Sequence, residues 1–207
     1  SHAEGLLLSL CAANLWGVLP IIMKGAIKDF DPFTATWFRF VGGAMLFGIW
    51  LLLRRPAALK PNWRTKRAWL LPLAIMGMSG NFCLLAWSLE YQSPSVSQIV
   101  LQIGPPLVFL GGAFIFGDSI ARMQWLGFML LLPGLALFFN TRLPLLVNGT
   151  DASAIGVLLI SCSAIGFATY SISQKSMMPE VPPETTLFWG LIGGTLILFP
   201  FASPGQL

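Results

Sequence analysis

The sequence predicts an all-α integral membrane protein with several spanning helices, and composition is the first observation behind this prediction. Of the 207 residues, 56% are hydrophobic and only 10% are charged, and the mean hydropathy is +0.77. A typical soluble domain has about 45–50% apolar and about 25% charged residues. A soluble fold of this composition would expose large apolar patches, and a disordered chain needs the opposite composition. Both classes are therefore excluded.

Long apolar segments are the second observation, because a spanning helix needs about 20 consecutive apolar residues. The chain has room for seven spans, over residues 6–23, 33–53, 68–89, 95–116, 124–140, 153–174 and 185–201. Backbone groups in hydrocarbon need internal hydrogen-bond partners, and these runs lack the alternation of barrel strands, so we expect helices. No basic segment precedes the first run, so we expect it to be a retained span rather than a signal peptide.

The distribution of Lys and Arg in short loops predicts the orientation, since these residues are enriched on the cytoplasmic side. Eight basic residues fall on one side of the predicted topology: Arg54, Arg55, Lys60, Arg64, Lys66, Arg67, Arg122 and Lys175. Three fall on the other side: Lys24, Lys28 and Arg142. We therefore expect a cytoplasmic N-terminus. The net charge of +4 is then an orientation signal, and we expect no nucleic-acid partner.

An internal repeat is the third observation. Twelve of the 41 positions in residues 3–43 are identical to the residue 151 positions further along the chain. The pairs Lys24/Lys175 and Pro32/Pro183 are the least expected from a biased composition. Five predicted spans, an odd number, separate the start of the first copy from the start of the second, so the second copy is inverted, as in secondary transporters. We predict a first five-helix repeat over residues 1–150 and the start of an inverted repeat over 151–207, giving seven spans of an expected ten.

Several short motifs resemble the EamA branch of the drug/metabolite transporter superfamily. They are Leu15-Trp16-Gly17 with Pro20 and Lys24, Pro32 with Arg39-Phe40, Ala86-Trp87-Ser88-Leu89-Glu90-Tyr91 with Ser93-Pro94-Ser95-Val96-Ser97, Pro105-Pro106-Leu107, and Gln124-Trp125-Leu126-Gly127. The resemblance implies a ten-helix protein of the cytoplasmic (inner) membrane, built of two inverted halves that export small metabolites. It also implies a cavity lined by helices of both halves, with amino acids among the substrates.

Polar side chains inside the predicted spans are the candidates for a substrate pathway, because such groups are costly in a membrane. Arg39 is the only full charge well inside a span, and it either anchors the helix or binds a substrate carboxylate. Ser95, Gln98 and Gln102 share one face of the fourth span, just before a proline pair that removes two backbone donors. Asn81 marks a weaker polar stripe on the third span.

The first and sixth spans supply further candidates. Asn14, Trp16 and Pro20 lie in the first span, and Tyr170 lies in the corresponding part of the sixth. Aromatic faces here either stack on an apolar substrate or pack in the core. Lys24 and Lys175 end these two spans on opposite membrane faces. They either cap helix ends and reach the headgroups or stand at the two mouths of the pathway.

The titratable residues argue against catalysis. The single histidine is His2, and no predicted span carries Asp or Glu away from its ends. An acid–base or metal-assisted mechanism at membrane depth would need such groups. We expect no enzymatic activity, no cofactor and no metal. Cys11, Cys83 and Cys162 are predicted to be packing residues.

The predicted function is export of small metabolites by alternating access, with amino acids as the favoured class. Its partners are then a small-molecule substrate and the lipid bilayer, and no oligomeric state is predicted. The alternatives are a transporter of sugars, nucleotide-sugars or drugs, and a non-transporting membrane scaffold or receptor.

Overall fold

The computed structural model describes residues 2–60, 65–117, 121–140 and 152–203, and helices dominate all four ranges. The helices are α1 (His2–Ala26), α2 (Pro32–Arg54), α3 (Leu71–Tyr91), α4 (Pro94–Leu101), α5 (Gly104–Phe116), α6 (Arg122–Asn140), α7 (Ala152–Met177) and α8 (Pro183–Leu198). Short 3₁₀ turns at 56–59, 68–70 and 199–201 flank three of them. Arg64, Arg142 and the predicted boundary between residues 150 and 151 lie outside the described residues.

The prediction of a multi-span helical membrane protein is confirmed. Within the described ranges, six helical segments are long and apolar enough to cross a bilayer, and Arg122–Leu137 forms a shorter apolar helix. The fourth of these segments, Pro94–Phe116, consists of α4 and α5 placed end to end. Large apolar side chains such as Leu46 and Leu53 are exposed on the outer helix faces, where a spanning protein meets lipid.

Local sequence signals place the helix ends. Asp31 precedes α2, and its carboxylate accepts hydrogen bonds from the backbone N–H groups of Phe33 and Thr34, each at 3.0 Å. Ser93 caps α4 in the same way. Proline follows both caps, at a position where a missing N–H costs nothing. Gly117 ends α5 with φ 66°, a left-handed conformation that favours glycine.

The centre of the fold is the pair α3 and α7, which pack against each other along most of their length. Gly77 and Gly166 allow the close approach, because a Cβ on Gly77 would lie 2.8 Å from the Gly166 carbonyl oxygen. Small residues at such contacts let two spanning helices touch along their backbones. Buried apolar side chains of α3, α4 and α7, among them Leu85, Val100 and Ile160, continue this core.

Helices α2 and α8 form an antiparallel pair that is tied at both ends. The Thr185 hydroxyl donates to the Ala58 carbonyl at 2.8 Å, and the Ser203 N–H donates to the Thr34 hydroxyl oxygen at 2.8 Å. The two threonines are partners in the 151-residue repeat. Each contacts the backbone just beyond the end of the other helix, so the two ties are reciprocal.

Candidate functional site

The fourth span is interrupted where α4 gives way to α5. The N–H of Gln102 bonds to the Ile99 carbonyl at 3.1 Å, and that of Ile103 bonds to the Val100 carbonyl at 3.0 Å. This three-residue spacing is the tighter 3₁₀ pattern, which often marks a functional position within a helix. Pro105 and Pro106 follow, and neither has the N–H that would reach the carbonyl four residues earlier. The carbonyls of residues 101 and 102 therefore lack their normal helical donors.

A cavity of about 520 Å³ opens beside this interruption, between α1, the α4–α5 junction and α7. We call it the amide cavity because two glutamines line it. Its lining residues are Ala13, Trp16, Gly17, Gln98, Leu101, Gln102, Pro105 and Phe167. The volume is in the usual range for a small-molecule site.

A hydrogen bond from Gln98 to α1 shapes this cavity. The Gln98 amide nitrogen donates to the backbone carbonyl of Trp16 at 3.0 Å. In a regular helix that carbonyl would accept from residue 20, but residue 20 is proline and has no N–H. Gln98 thus supplies the donor that Pro20 lacks, and the bond holds α4 against α1 beside Trp16.

A second cavity, of about 410 Å³, lies between α1, α2, α3 and α8, and we call it the arginine cavity. Its lining residues are Leu15, Trp16, Leu19, Arg39, Phe40, Gly43, Met78, Phe82, Leu187 and Leu191. Arg39 is the one charged member of this lining. Its guanidinium carbon lies 3.9 Å from the centre of the Phe82 ring, a cation–π contact.

Trp16 is the residue that the two cavities share. Its ring centre lies 6.0 Å from that of Phe82 on the arginine side and 6.5 Å from that of Phe167 on the amide side. Both separations are typical of interacting aromatic rings. Three aromatic side chains from α1, α3 and α7 therefore form the wall between the two cavities.

Of the predicted pathway residues, the structure brings together Trp16, Arg39, Gln98 and Gln102 around these cavities, with Pro20 one helical turn from Trp16. It places others elsewhere. The exposed Asn14 amide donates to the Leu10 carbonyl of its own helix, and Ser95 is exposed at the start of α4. Neither belongs to the lining of either cavity.

Asn81 and Tyr170 lie in the contact between α3 and its neighbours rather than on a cavity surface. Asn81 is only 3% exposed, and its amide donates to the backbone oxygen of Ser163 at 2.9 Å and to its hydroxyl at 3.1 Å. The Ser163 hydroxyl donates back to the Asn81 carbonyl at 2.7 Å. Tyr170 packs against the buried clusters around Phe40 and Leu71. Both residues join spans to one another.

The two repeat-related lysines meet helix ends. The Lys24 ammonium donates to the Leu89 carbonyl, in the last turn of α3. The Lys175 ammonium lies 4.7 Å from the centre of the ring of Phe116, the last residue of α5. A cation at a helix C-terminus is favoured by the helix dipole. Both lysines thus have local partners at the ends of spans.

Phe82 is the candidate that the sequence does not reveal. An aromatic residue inside an apolar span has no pattern of its own, and its contact with Arg39 crosses from α3 to α2. Phe167, by contrast, aligns with Trp16 in the 151-residue repeat, and both side chains line the amide cavity. The repeat was therefore the signal that could locate Phe167.

Polar side chains that line cavities between spanning helices are typical of membrane transport proteins. The profile of the EamA-like transporter family matches residues 3–140 and 154–206. The chain therefore belongs to the EamA-like transporter family. The two matched segments begin at Ala3 and Ala154, which are also the first pair of the 151-residue alignment.

Individual relatives carry similar descriptions. The chain is 32% identical over 208 residues to a protein of Escherichia coli (strain K12) named uncharacterized inner membrane transporter YhbE, covering 98% of this chain and 64% of the relative. It is 29% identical over 205 residues to an uncharacterized transporter of Haemophilus influenzae, covering 98% of this chain and 66% of the relative. An uncharacterized transporter of Archaeoglobus fulgidus is 26% identical over 196 residues, with 91% and 63% covered. The chain thus spans about two thirds or less of the length of each relative.

Proposed function

We propose that the protein exports small amphipathic metabolites, with amino acids as the favoured class, across the inner membrane by alternating access. Membership of the EamA-like transporter family supports transport, and the name of the Escherichia coli relative supports the inner membrane. The export direction and the amino-acid class rest on the resemblance of the motifs to known exporters. The N-terminus is proposed to face the cytoplasm, because the basic residues favour that orientation.

The observation that carries the proposal is the pair of cavities that meet at Trp16. One contains a guanidinium group and the other contains two amides, while most of the remaining lining is apolar or aromatic. A charge at the centre of a span costs at least ~2.5–3.5 kcal/mol, so a charged residue well inside a span and beside a cavity favours a functional role. Polar groups at two places along an apolar lining suit a solute with a polar end and an apolar body.

The proposed architecture is a pair of inverted repeats, with residues 1–150 in the first and 151–207 in the second. The reciprocal ties of Thr34 and Thr185 support it, because each threonine contacts the chain beyond the second helix of the other repeat. Lys24 and Lys175 would then stand at opposite mouths of the pathway, each bound to the end of a neighbouring span.

An efflux assay tests the function directly. Proteoliposomes containing the whole protein are loaded with labelled leucine, phenylalanine or other amino acids, and retained label is followed over time. Gln102→Met removes one amide from the amide cavity and should lower the efflux rate about three- to tenfold, the effect of one uncharged hydrogen bond. The control is Ile115→Met, at a position on the outer face of the same span that is 62% exposed, which should leave efflux unchanged.

If none of the labelled amino acids left the proteoliposomes, amino-acid transport would be refuted. Efflux of sugars, nucleotide-sugars or drugs instead would support the transport function but would change the proposed substrate class.

Cysteine labelling separates a transporter from a scaffold. In a variant with Cys11, Cys83 and Cys162 replaced by alanine, Gln102→Cys should react with a water-soluble maleimide, since residue 102 borders the amide cavity. Ser97→Cys on the same span should stay protected, because Ser97 is fully buried. Equal protection of both positions would favour the scaffold.

A further inference from the structure

We infer that Arg39 binds the carboxylate of the transported solute and selects carboxylates over their neutral amides. This inference rests on the proposed transport function and adds to it the chemical group that the site recognises.

The Nη1 atom of Arg39 is buried and has no hydrogen-bond partner among the described residues. None of the carboxylates in those ranges forms an ion pair with this guanidinium. The guanidinium lies over the face of the Phe82 ring, a cation–π contact that leaves the Nη1 group without a hydrogen-bond acceptor. A buried charged donor without an acceptor is costly. Because Arg39 also lines the arginine cavity, an acceptor bound there would complete the site.

The chemistry of the cavity specifies the partner. A guanidinium presents N–H donors in a planar fork that matches the two oxygens of a carboxylate. Arg39 is the one cation in the lining of the arginine cavity, and its other lining residues carry no charge. One guanidinium neutralises one carboxylate, whereas a doubly charged phosphate monoester would keep an uncompensated charge in an apolar site.

The remaining lining describes the rest of the solute. Leu15, Leu19, Leu187 and Leu191 supply apolar surface, and the Trp16 ring closes the side towards the amide cavity. A solute with a carboxylate at Arg39 and an apolar or aromatic body against these side chains would bury both parts. At about 410 Å³ the cavity has the size of a small-molecule site.

The competing explanation is that Arg39 only joins α2 to α3 through its contact with Phe82. The two explanations differ in one measurable respect. An anchoring residue affects all solutes alike, whereas a carboxylate-binding residue changes the ratio between a carboxylate and its amide.

The experiment measures this ratio with the whole protein in proteoliposomes. Labelled leucine or phenylalanine is bound, and unlabelled leucine and leucinamide, or phenylalanine and phenylalaninamide, compete for it. In the wild type the carboxylate should compete about 10- to 100-fold better than the amide, the effect of one charge-assisted hydrogen-bond pair. In Arg39→Gln the ratio should fall to within about twofold.

Two further variants make the test independent of folding. Arg39→Lys keeps the charge but loses the fork, and should give an intermediate ratio. Arg122→Gln removes an exposed arginine at the start of α6 that lines neither cavity, and should keep the wild-type ratio. A ratio near one in the wild type, or an unchanged ratio in Arg39→Gln, would overturn the inference while leaving transport intact. A wild-type protein that neither binds nor moves any amino acid would overturn the transport proposal as well.

Discussion

The substitution Gly77→Ala is a direct test of the contact between α3 and α7. A Cβ at this position would lie 2.8 Å from the Gly166 carbonyl oxygen and 2.8 Å from the Tyr170 nitrogen. Both atoms belong to the backbone of α7, so no side-chain rotation can relieve the clash. Ordinary contact begins near 3.4 Å, so the two helices would have to separate by about half an ångström.

The expected cost follows from this geometry. Overpacking of a close contact costs about 1–3 kcal/mol. Separation also stretches the Asn81–Ser163 bonds, and interhelical hydrogen bonds in membranes are worth about 0.6 kcal/mol each. Alanine regains up to about 1 kcal/mol because it is a better helix former than glycine. The net free energy of unfolding should therefore fall by about 1–3 kcal/mol.

The matched control is Gly80→Ala, three residues further along α3. A Cβ on Gly80 would meet nothing within 4 Å, so only the gain in helix propensity applies. This variant should be about 0.5–1 kcal/mol more stable than the wild type. The measurement is unfolding of the purified protein in mixed micelles, followed by circular dichroism. If Gly77→Ala proved as stable as Gly80→Ala, the close backbone approach would be wrong.

Three other contacts lead to further predictions. Asn81→Leu should lower the free energy of unfolding by about 1–2 kcal/mol. Ser163→Ala should cost less in that background than in the wild type, because the bond between the Asn81 amide and the Ser163 hydroxyl is already lost while the bond to the Asn81 carbonyl remains; fully additive losses would contradict the side-chain pairing. Gln98→Met should be less damaging when Pro20 is also replaced by alanine, because residue 20 then donates to the carbonyl that Gln98 serves. Equal losses of thermal stability in both backgrounds would refute that link. Lys24→Met should cost about 0.3–1 kcal/mol in unfolding experiments, whereas Lys24→Arg should be close to neutral; equal effects would argue against a role for its charge at the end of α3.

Much of the fold could be predicted from local sequence. The apolar segments locate the helices to within a few residues, and Asp31-Pro32 and Ser93-Pro94 mark two of their starts. Pro105-Pro106 predicts a disturbed fourth span, and the structure shows α4 and α5 separated just before the pair. These features depend on length, hydropathy and backbone donors, all of which the sequence states directly.

The candidate site could be predicted only in part. Gln98 and Gln102 stand out because an amide in a span has to avoid lipid, and both line the amide cavity. The same argument applies to Asn81, yet its amide is used between α3 and α7. A polar side chain satisfied by another helix and one facing a cavity look alike in the sequence, since both avoid lipid.

Local composition is enough to establish the membrane class, the positions of the spans and the polar side chains that have to avoid lipid, because insertion and helix formation depend on it. Which of these side chains face a cavity and which bind another helix depends on how the helices pack. In the folded protein Arg39 lies over Phe82, Gln98 donates to the carbonyl that Pro20 leaves without a donor, and Asn81 pairs with Ser163. Each of these contacts joins residues on different helices, so helix packing rather than local propensity selects them.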